Sequence, residues 1–201
     1  MQEFEAIARL KQGDISGLES LVKIYQLRAL RVAYLIVRDY DLAEDVVQDA
    51  FLRAYERINQ FDVKRPFGPW FFRIVINIAR RTAVQQERHI HLDNASANEE
   101  TALDEILADL KSDPEVMVEQ LDLQRAVWTA LGRLPPTQRT AIIQRYYLDM
   151  PEKDIATHSE TPLGTLKWRL HTAHEKLRIW LSQLWPIGTS TQHKSEKEIE
   201  P

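Results

Sequence analysis

PEKDIATHSETPLGTLKWRL, residues 151–170, reads as a short helix, a tight turn and a longer helix, the helix-turn-helix pattern. Thr161 suits the cap of the second helix and Pro162 its first turn. The apolar spacing carries that helix on through HTAHEKLRIWLSQL. On a wheel of about 100° per residue with Leu166 at zero, Leu163, Leu170, Ala173, Leu177, Trp180 and Leu181 fall within about 60°. That stripe should face the core. Trp168 stands at about 200°, almost opposite, with Lys167, His171 and Arg178 on one flank and Thr165 and Thr172 on the other. A helix packed through its leucines cannot bury Trp168. It presents the ring where a helix-turn-helix enters a major groove, to meet a thymine methyl or sugar edge. Docking of a protein partner and a merely incidental exposed ring are the alternatives. Lys167, Arg169, Lys176 and Arg178 can likewise be read as a solvated face.

Outward from this motif, nearly everything is helical. Strand-like alternation is nowhere sustained, and i, i+3, i+4 apolar spacing recurs. FEAIARLKQGDISGLESLVKIYQLRALRVAYLIV predicts two helices broken near Gly13–Ser16. DLAEDVVQDAFLRAYERI predicts a third, with Asp41 as N-cap. NQFDVKRPFG is a loop by its Asn, Asp, Pro and Gly, and PWFFRIVINIARRTAVQQ is a fourth helix with Pro69 at its start. After an acidic stretch, EVMVEQLDLQRAVWTALGRL and PTQRTAIIQRYYL resume the helical pattern. The expected fold is all-α: two small helical domains, residues 1–88 and 115–184, joined by an acidic flexible linker at 89–114 and followed by a disordered tail at 185–201.

Composition narrows the function. With 201 residues, 44% of them hydrophobic, the chain can bury a core. It has no cysteine, hence no disulfide, thiolate zinc site or thiol nucleophile. The N-terminus lacks the pattern of a signal peptide, and the greasiest run, WFFRIVINIA, is broken by arginine and falls short of a membrane span of about 20 residues. A cytoplasmic protein without membrane insertion is expected. The net charge of −4 hides an asymmetry. Residues 61–92 carry six Lys/Arg against two acids, 93–124 one against ten, and 125–184 nine against five. Two basic blocks flank an acidic one, which is either a solvated tether or a mask for basic surfaces.

Two blocks of sequence together are specific. LGRLPPTQRTAIIQRYYLDMPEKDIATHSETPLGTLKWRLHTAHEKLR resembles the promoter-reading C-terminal domain of bacterial extracytoplasmic-function (ECF) sigma factors. The matching positions are Leu134–Pro136 with Arg139, Asp154–Ala156 and Gly164–Leu170. DLAEDVVQDAFLRAYERINQF and WFFRIVINIARR resemble the same family's N-terminal domain, through Ala43–Asp45, Gln48 and Phe51, then Trp70, Ile74 and Asn77. The chain departs from the family in three places. Trp168 replaces a small residue, Thr172 stands where a polar base reader is frequent, and Phe71 follows Trp70 in place of leucine.

The resemblance implies a sigma factor, not an enzyme: a subunit that joins core RNA polymerase, reads two promoter elements and helps to melt DNA. Its polymerase-binding side would be the outer face of the third helix. There Asp45, Gln48, Asp49, Leu52 and Glu56 point away from an apolar face centred on Val47 and Ala54. An exposed leucine among carboxylates and a glutamine suits protein docking. The melted −10 strand would meet aromatic walls from Phe61 and Phe67, with Trp70 a third candidate that equally fits hinge or core. Lys64, Arg65, Arg73, Arg80 and Arg81 would follow phosphates, and Asn77 would contact a base or fill a packing gap. The −35 duplex would meet Thr165, Lys167, Trp168, Arg169, His171, Thr172 and Arg178. An anti-sigma factor wedged between the domains is the expected regulator, with Trp168 serving DNA when free and inhibitor when held.

Other classes compete less well. A helix-turn-helix regulator that does not engage polymerase leaves the Asp45/Gln48/Asp49/Leu52 patch unexplained. A sigma-like decoy that binds an anti-sigma factor alone leaves Lys167, Arg169 and Arg178 unexplained. No nucleophile–base set or phosphate-cradling glycine loop appears. Glu44 and Asp45 diverge by about 100° on a helix, so they do not converge on one atom. His89-x-His91 and His171-x-x-His174 have ligand spacing but lack completing ligands, so no metal or cofactor is expected.

Overall fold

The computed structural model describes residues 2–90 and 114–182. Most of the expected linker, 89–114, and the expected tail, 185–201, lie outside the described residues. The first group of helices is α1 (Gln2–Lys11), α2 (Ser16–Val37), α3 (Tyr40–Arg57) with a 3₁₀ turn at Ile58–Gln60, and α4 (Phe67–Ile90). The second is α5 (Pro114–Gly132), α6 (Pro136–Ile142) running into a π-helical turn at Ile143–Tyr147, α7 (Glu152–His158) and α8 (Leu163–Leu181). No described helix is long and apolar enough to cross a membrane.

The breaks fall where local chemistry demands them. Gly13 takes φ 85° between α1 and α2, a left-handed turn that glycine adopts without steric cost. The cap of α3 is Asp39, not Asp41: its carboxylate accepts the Leu42 N–H at 3.0 Å, because the chain is extended at 39 and already helical at 41. Helix α4 begins two residues before Pro69, which costs no hydrogen bond in a first turn.

Each group packs its own stripe. α1–α4 enclose an aromatic core in which Phe71 lies 4.6 Å from Phe51 and 5.8 Å from Phe67, ring centre to ring centre. α5–α8 enclose a smaller aliphatic core of Leu131, Leu134, Ala141, Ile142, Ile155, Leu166, Leu170 and Ala173. The two groups touch. Trp128 of α5 and Ile143 of the π turn are buried in the first core, not the second.

Candidate polymerase and nucleic-acid interfaces

On α3 the apolar spacing buries Ala43, Val46, Val47, Ala50, Phe51 and Ala54 against α2 and α4. Asp45, Gln48, Asp49, Leu52 and Glu56 are therefore all turned outward. Leu52 is 57% exposed, and Leu27 of α2 is exposed as well. Between α2 and α3 runs a shallow cavity of about 400 Å³, lined by Val22, Gln26 and Leu30 on one side and Glu44, Val47, Gln48, Phe51 and Leu52 on the other. An apolar floor rimmed by glutamines and carboxylates is suited to a protein surface carrying apolar and basic groups.

The loop before α4 is organised by Asp62. Its carboxylate accepts the Lys64 N–H at 3.0 Å and lies 3.7 Å from the Arg65 guanidinium. Lys64 and Arg65 are held outward, and Lys11 ties the loop down by donating from Nζ to the Phe61 carbonyl at 2.7 Å. Phe61 and Phe67 do not stand in the loop as free walls. They are 3% and 1% exposed, and both pack on Trp70, at 5.1 and 5.4 Å. The 3₁₀ turn directs Phe61 inward and the start of α4 does the same to Phe67, so both rings belong to the core. Trp70 is half-buried, and Val63 is the exposed apolar residue of the loop. Along α4, Arg73 and Arg81 are exposed, while Asn77 and Arg80 are half-buried.

In the helix-turn-helix, Ile155 and Ala156 of α7 pack on Leu166, Leu170 and Ala173 of α8. The turn closes by the Thr161 N–H donating to the Ala156 carbonyl at 3.0 Å, with Glu160 at φ 49°. Thr161 does not cap α8. Its hydroxyl donates to the Ser159 carbonyl and accepts from Arg169, while Pro162 occupies the cap position without a side-chain bond. The leucine stripe is inward, and Trp168 is 61% exposed. Thr165, Lys167, His171 and Arg178 are exposed around it; Arg169 and Thr172 are half-buried. Arg178 is engaged by Glu175 at 2.9 Å.

Sequence reasoning missed the meeting of the two groups. Trp128 stacks on Tyr34 of α2, with centres 4.6 Å apart and planes at 20°. Beside this stack opens an apolar groove of about 690 Å³, whose walls include Arg31 and Leu35 of α2, Val127 of α5, Tyr146 of the π turn, and Leu177 and Leu181 of α8. A lone tryptophan in the otherwise aliphatic tail of α5 was the only signal of it in the sequence.

Comparison with known proteins agrees with this geometry. The family model for sigma-70 region 2 matches residues 21–89, and that for sigma-70 region 4 matches residues 124–177. The chain is 32% identical over 180 residues to the ECF RNA polymerase sigma factor SigW of Bacillus subtilis, covering 89% of this chain and 96% of that one. It is 29% identical over 178 residues to the RNA polymerase sigma-H factor of Pseudomonas aeruginosa, covering 88% and 92%. In fold it is similar to CnrH, solved with the cytosolic domain of CnrY, at a TM-score of 0.59 and 21% identity, covering 91% of this chain and 99% of that one. It is similar also to the sigma factor RpoE of Bartonella quintana, solved with the anti-sigma factor NepR, at a TM-score of 0.60 and 23% identity, covering 82% and 96%. Both region models in chain order, with a relative matched along nearly its full length, place this chain in the sigma-70 family, as an RNA polymerase sigma factor of the ECF class.

Proposed function

We propose that the protein acts in the cytoplasm as a promoter-specificity subunit whose chemistry is recognition, not catalysis. The α3 face built from Asp45, Gln48, Asp49, Leu52 and Glu56 docks on core RNA polymerase, with the adjoining α2–α3 cavity receiving apolar side chains. Lys64, Arg65, Arg73, Arg80 and Arg81 follow the −10 backbone as the strands part. With Phe61 and Phe67 in the core, Val63 and the open edge of Trp70 are the apolar surfaces left for an unstacked base. The −35 duplex is read by the outer face of α8, through Thr165, Lys167, Trp168, Arg169, His171, Thr172 and Arg178. The observation that carries this reading is the wide exposure of Trp168 on the side of α8 opposite the buried Leu166, Leu170 and Ala173. A core residue would not stand there, and a base-contacting one would.

An anti-sigma factor fits the groove between α2 and α8, whose lining of Leu35, Val127, Tyr146, Leu177 and Leu181 suits the apolar stripe of a helix. Trp168 is not among the groove's lining residues, so this inhibitor reading rests on the groove and leaves Trp168 to DNA.

Run-off transcription with purified core polymerase and promoter fragments tests the proposal. Discrete starts that share two upstream motifs support it. Trp168→Ser should then lower promoter binding by about 1–3 kcal/mol, the scale of one base-edge interaction, without changing polymerase affinity. A gel shift of duplex DNA without any transcript would favour a conventional regulator, and inhibitor binding without either signal would favour a decoy.

A further inference from the structure

The junction between the two helical groups is built from residues that no promoter-binding or polymerase-binding role uses. Arg38 follows the last turn of α2 in a left-handed conformation, φ 64° and ψ 25°, with its N–H donating to the Tyr34 carbonyl. Glycine or asparagine is the ordinary occupant of such a cap, since a Cβ is disfavoured there. The arginine reaches across to the second group. Its Cζ lies 4.7 Å from the centre of the Trp128 ring, the same ring that stacks on Tyr34. Its guanidinium then continues over Gly132, the last residue of α5. A Cβ built on Gly132 would stand 0.8 Å from Arg38 Nη1, so the absence of a side chain at 132 is what lets the arginine lie flat. Tyr34 and Trp128 are both buried.

We infer that Tyr34, Arg38, Trp128 and Gly132 form an intramolecular latch that holds the free chain closed and must release before the two halves can occupy separate promoter elements. The latch stands on geometry alone; its consequence for promoter elements rests on the sigma-factor reading. Closure also sets α6 of the second group against α4, the −10 helix. In the closed chain the two DNA-reading surfaces are held by one rigid junction, and neither can move to its own site. Release requires the aromatic stack and the guanidinium to separate and Ile143 to leave the first core, so a partner that grips both halves in the open arrangement can drive it by differential affinity.

The chain contains no cysteine, so dyes can be placed only where wanted. Asn59→Cys and Thr157→Cys, both at exposed positions in different groups, report the separation by single-molecule energy transfer in the full-length free protein. The expected result is one dominant high-transfer population. Arg38→Ala and Gly132→Ala should each lower the closed-to-open ratio about tenfold, the scale expected when a desolvated cation–π interaction is removed together with its packing. Gly132→Ala guards against a folding artefact, because alanine favours the helix it ends while evicting the arginine. Unchanged circular dichroism with a shift to low transfer supports the latch. A wild-type chain that is already open, or variants that transfer like wild type, overturns it. Absence of run-off transcripts from an unmodified chain would instead sink the sigma-factor reading and leave the energy-transfer result standing.

Discussion

The two halves solve the same packing problem with different materials. In α1–α4 the core is aromatic: Phe71 is fully buried and touches Tyr25, Phe51, Phe67 and Phe72 at centre distances of 5.7, 4.6, 5.8 and 5.9 Å. In α5–α8 the buried members are leucine, isoleucine and alanine, with Trp180 only at the margin. Large rings bury much area per residue, so the first half can leave a long outer face of α3 free for docking. The second half is small and spends its best aromatic, Trp128, on its neighbour. A domain that lends a core residue to another becomes more stable when the two are together. The difference therefore suggests that the helix-turn-helix half is the dependent partner and the aromatic half the platform.

Core truncations probe that dependence most strongly. Phe71→Ala should cost about 3–5 kcal/mol and Leu166→Ala about 2–5 kcal/mol, by reduced burial and the cavities left behind. Urea unfolding followed by tryptophan fluorescence and by circular dichroism decides what they share. If the halves are coupled through Trp128 and Ile143, each variant lowers one common transition. Two separate transitions, with Leu166→Ala moving only the weaker, would mean that the halves are independent and the borrowed core is incidental.

Helix starts give a smaller contrast of the same kind. Helix α3 has a side-chain cap and α8 does not. Asp39→Ala should cost about 1 kcal/mol. Thr161→Ala should stay within about 0.5 kcal/mol, since its hydroxyl serves the turn and Arg169 and does not serve the helix end. Equal losses in thermal melts would show that the turn contributes as much as a cap.

What could be read from the residues alone follows the range of the interaction. The inward stripe of α8, the outward Trp168 and the outward Asp45/Gln48/Asp49/Leu52 face were legible because helical periodicity is local and the apolar spacing is regular. Helix caps were only half legible. Asp39 and Asp41 have the same chemistry, and the choice depends on where the backbone leaves the extended region. Phe61 and Phe67 were misjudged as base walls because they flank a polar loop. Phe61 is turned inward by a 3₁₀ turn whose end is tied down by Lys11, fifty residues away in sequence, and Phe67 by the start of α4. The Tyr34–Trp128–Arg38 junction left one trace, the lone tryptophan in the tail of α5, and nothing local to it names a partner ninety positions off. Gly132 had no visible reason to be glycine until Arg38 was found lying on it.

The finest probe of the coupling is pH. His158, at the end of α7, is partly buried, and its Nδ1 has no hydrogen-bond partner among the described residues. Burial first, and then the positive charge of Arg73 on α4, hold its pKa below the ordinary histidine value, with Asp154 opposing. Above that ordinary value of about 6.5 the ring is neutral in every state and adds nothing. As pH falls below it, an opened or unfolded chain takes up a proton that the closed chain refuses, so stability declines until the pH is under the depressed native pKa. The closed, folded form should thus be weaker at pH 5.5 than at pH 8, by a modest amount because the ring keeps some exposure to water. His158→Gln should remove that part of the slope in thermal melts, and Arg73→Gln should shrink it by lifting the histidine's pKa back toward normal. The Arg73 effect is the informative one, because Arg73 belongs to the first half and His158 to the second. A slope that vanishes with His158→Gln yet ignores Arg73→Gln would mean that burial within the helix-turn-helix acts alone and that α4 is not held against it.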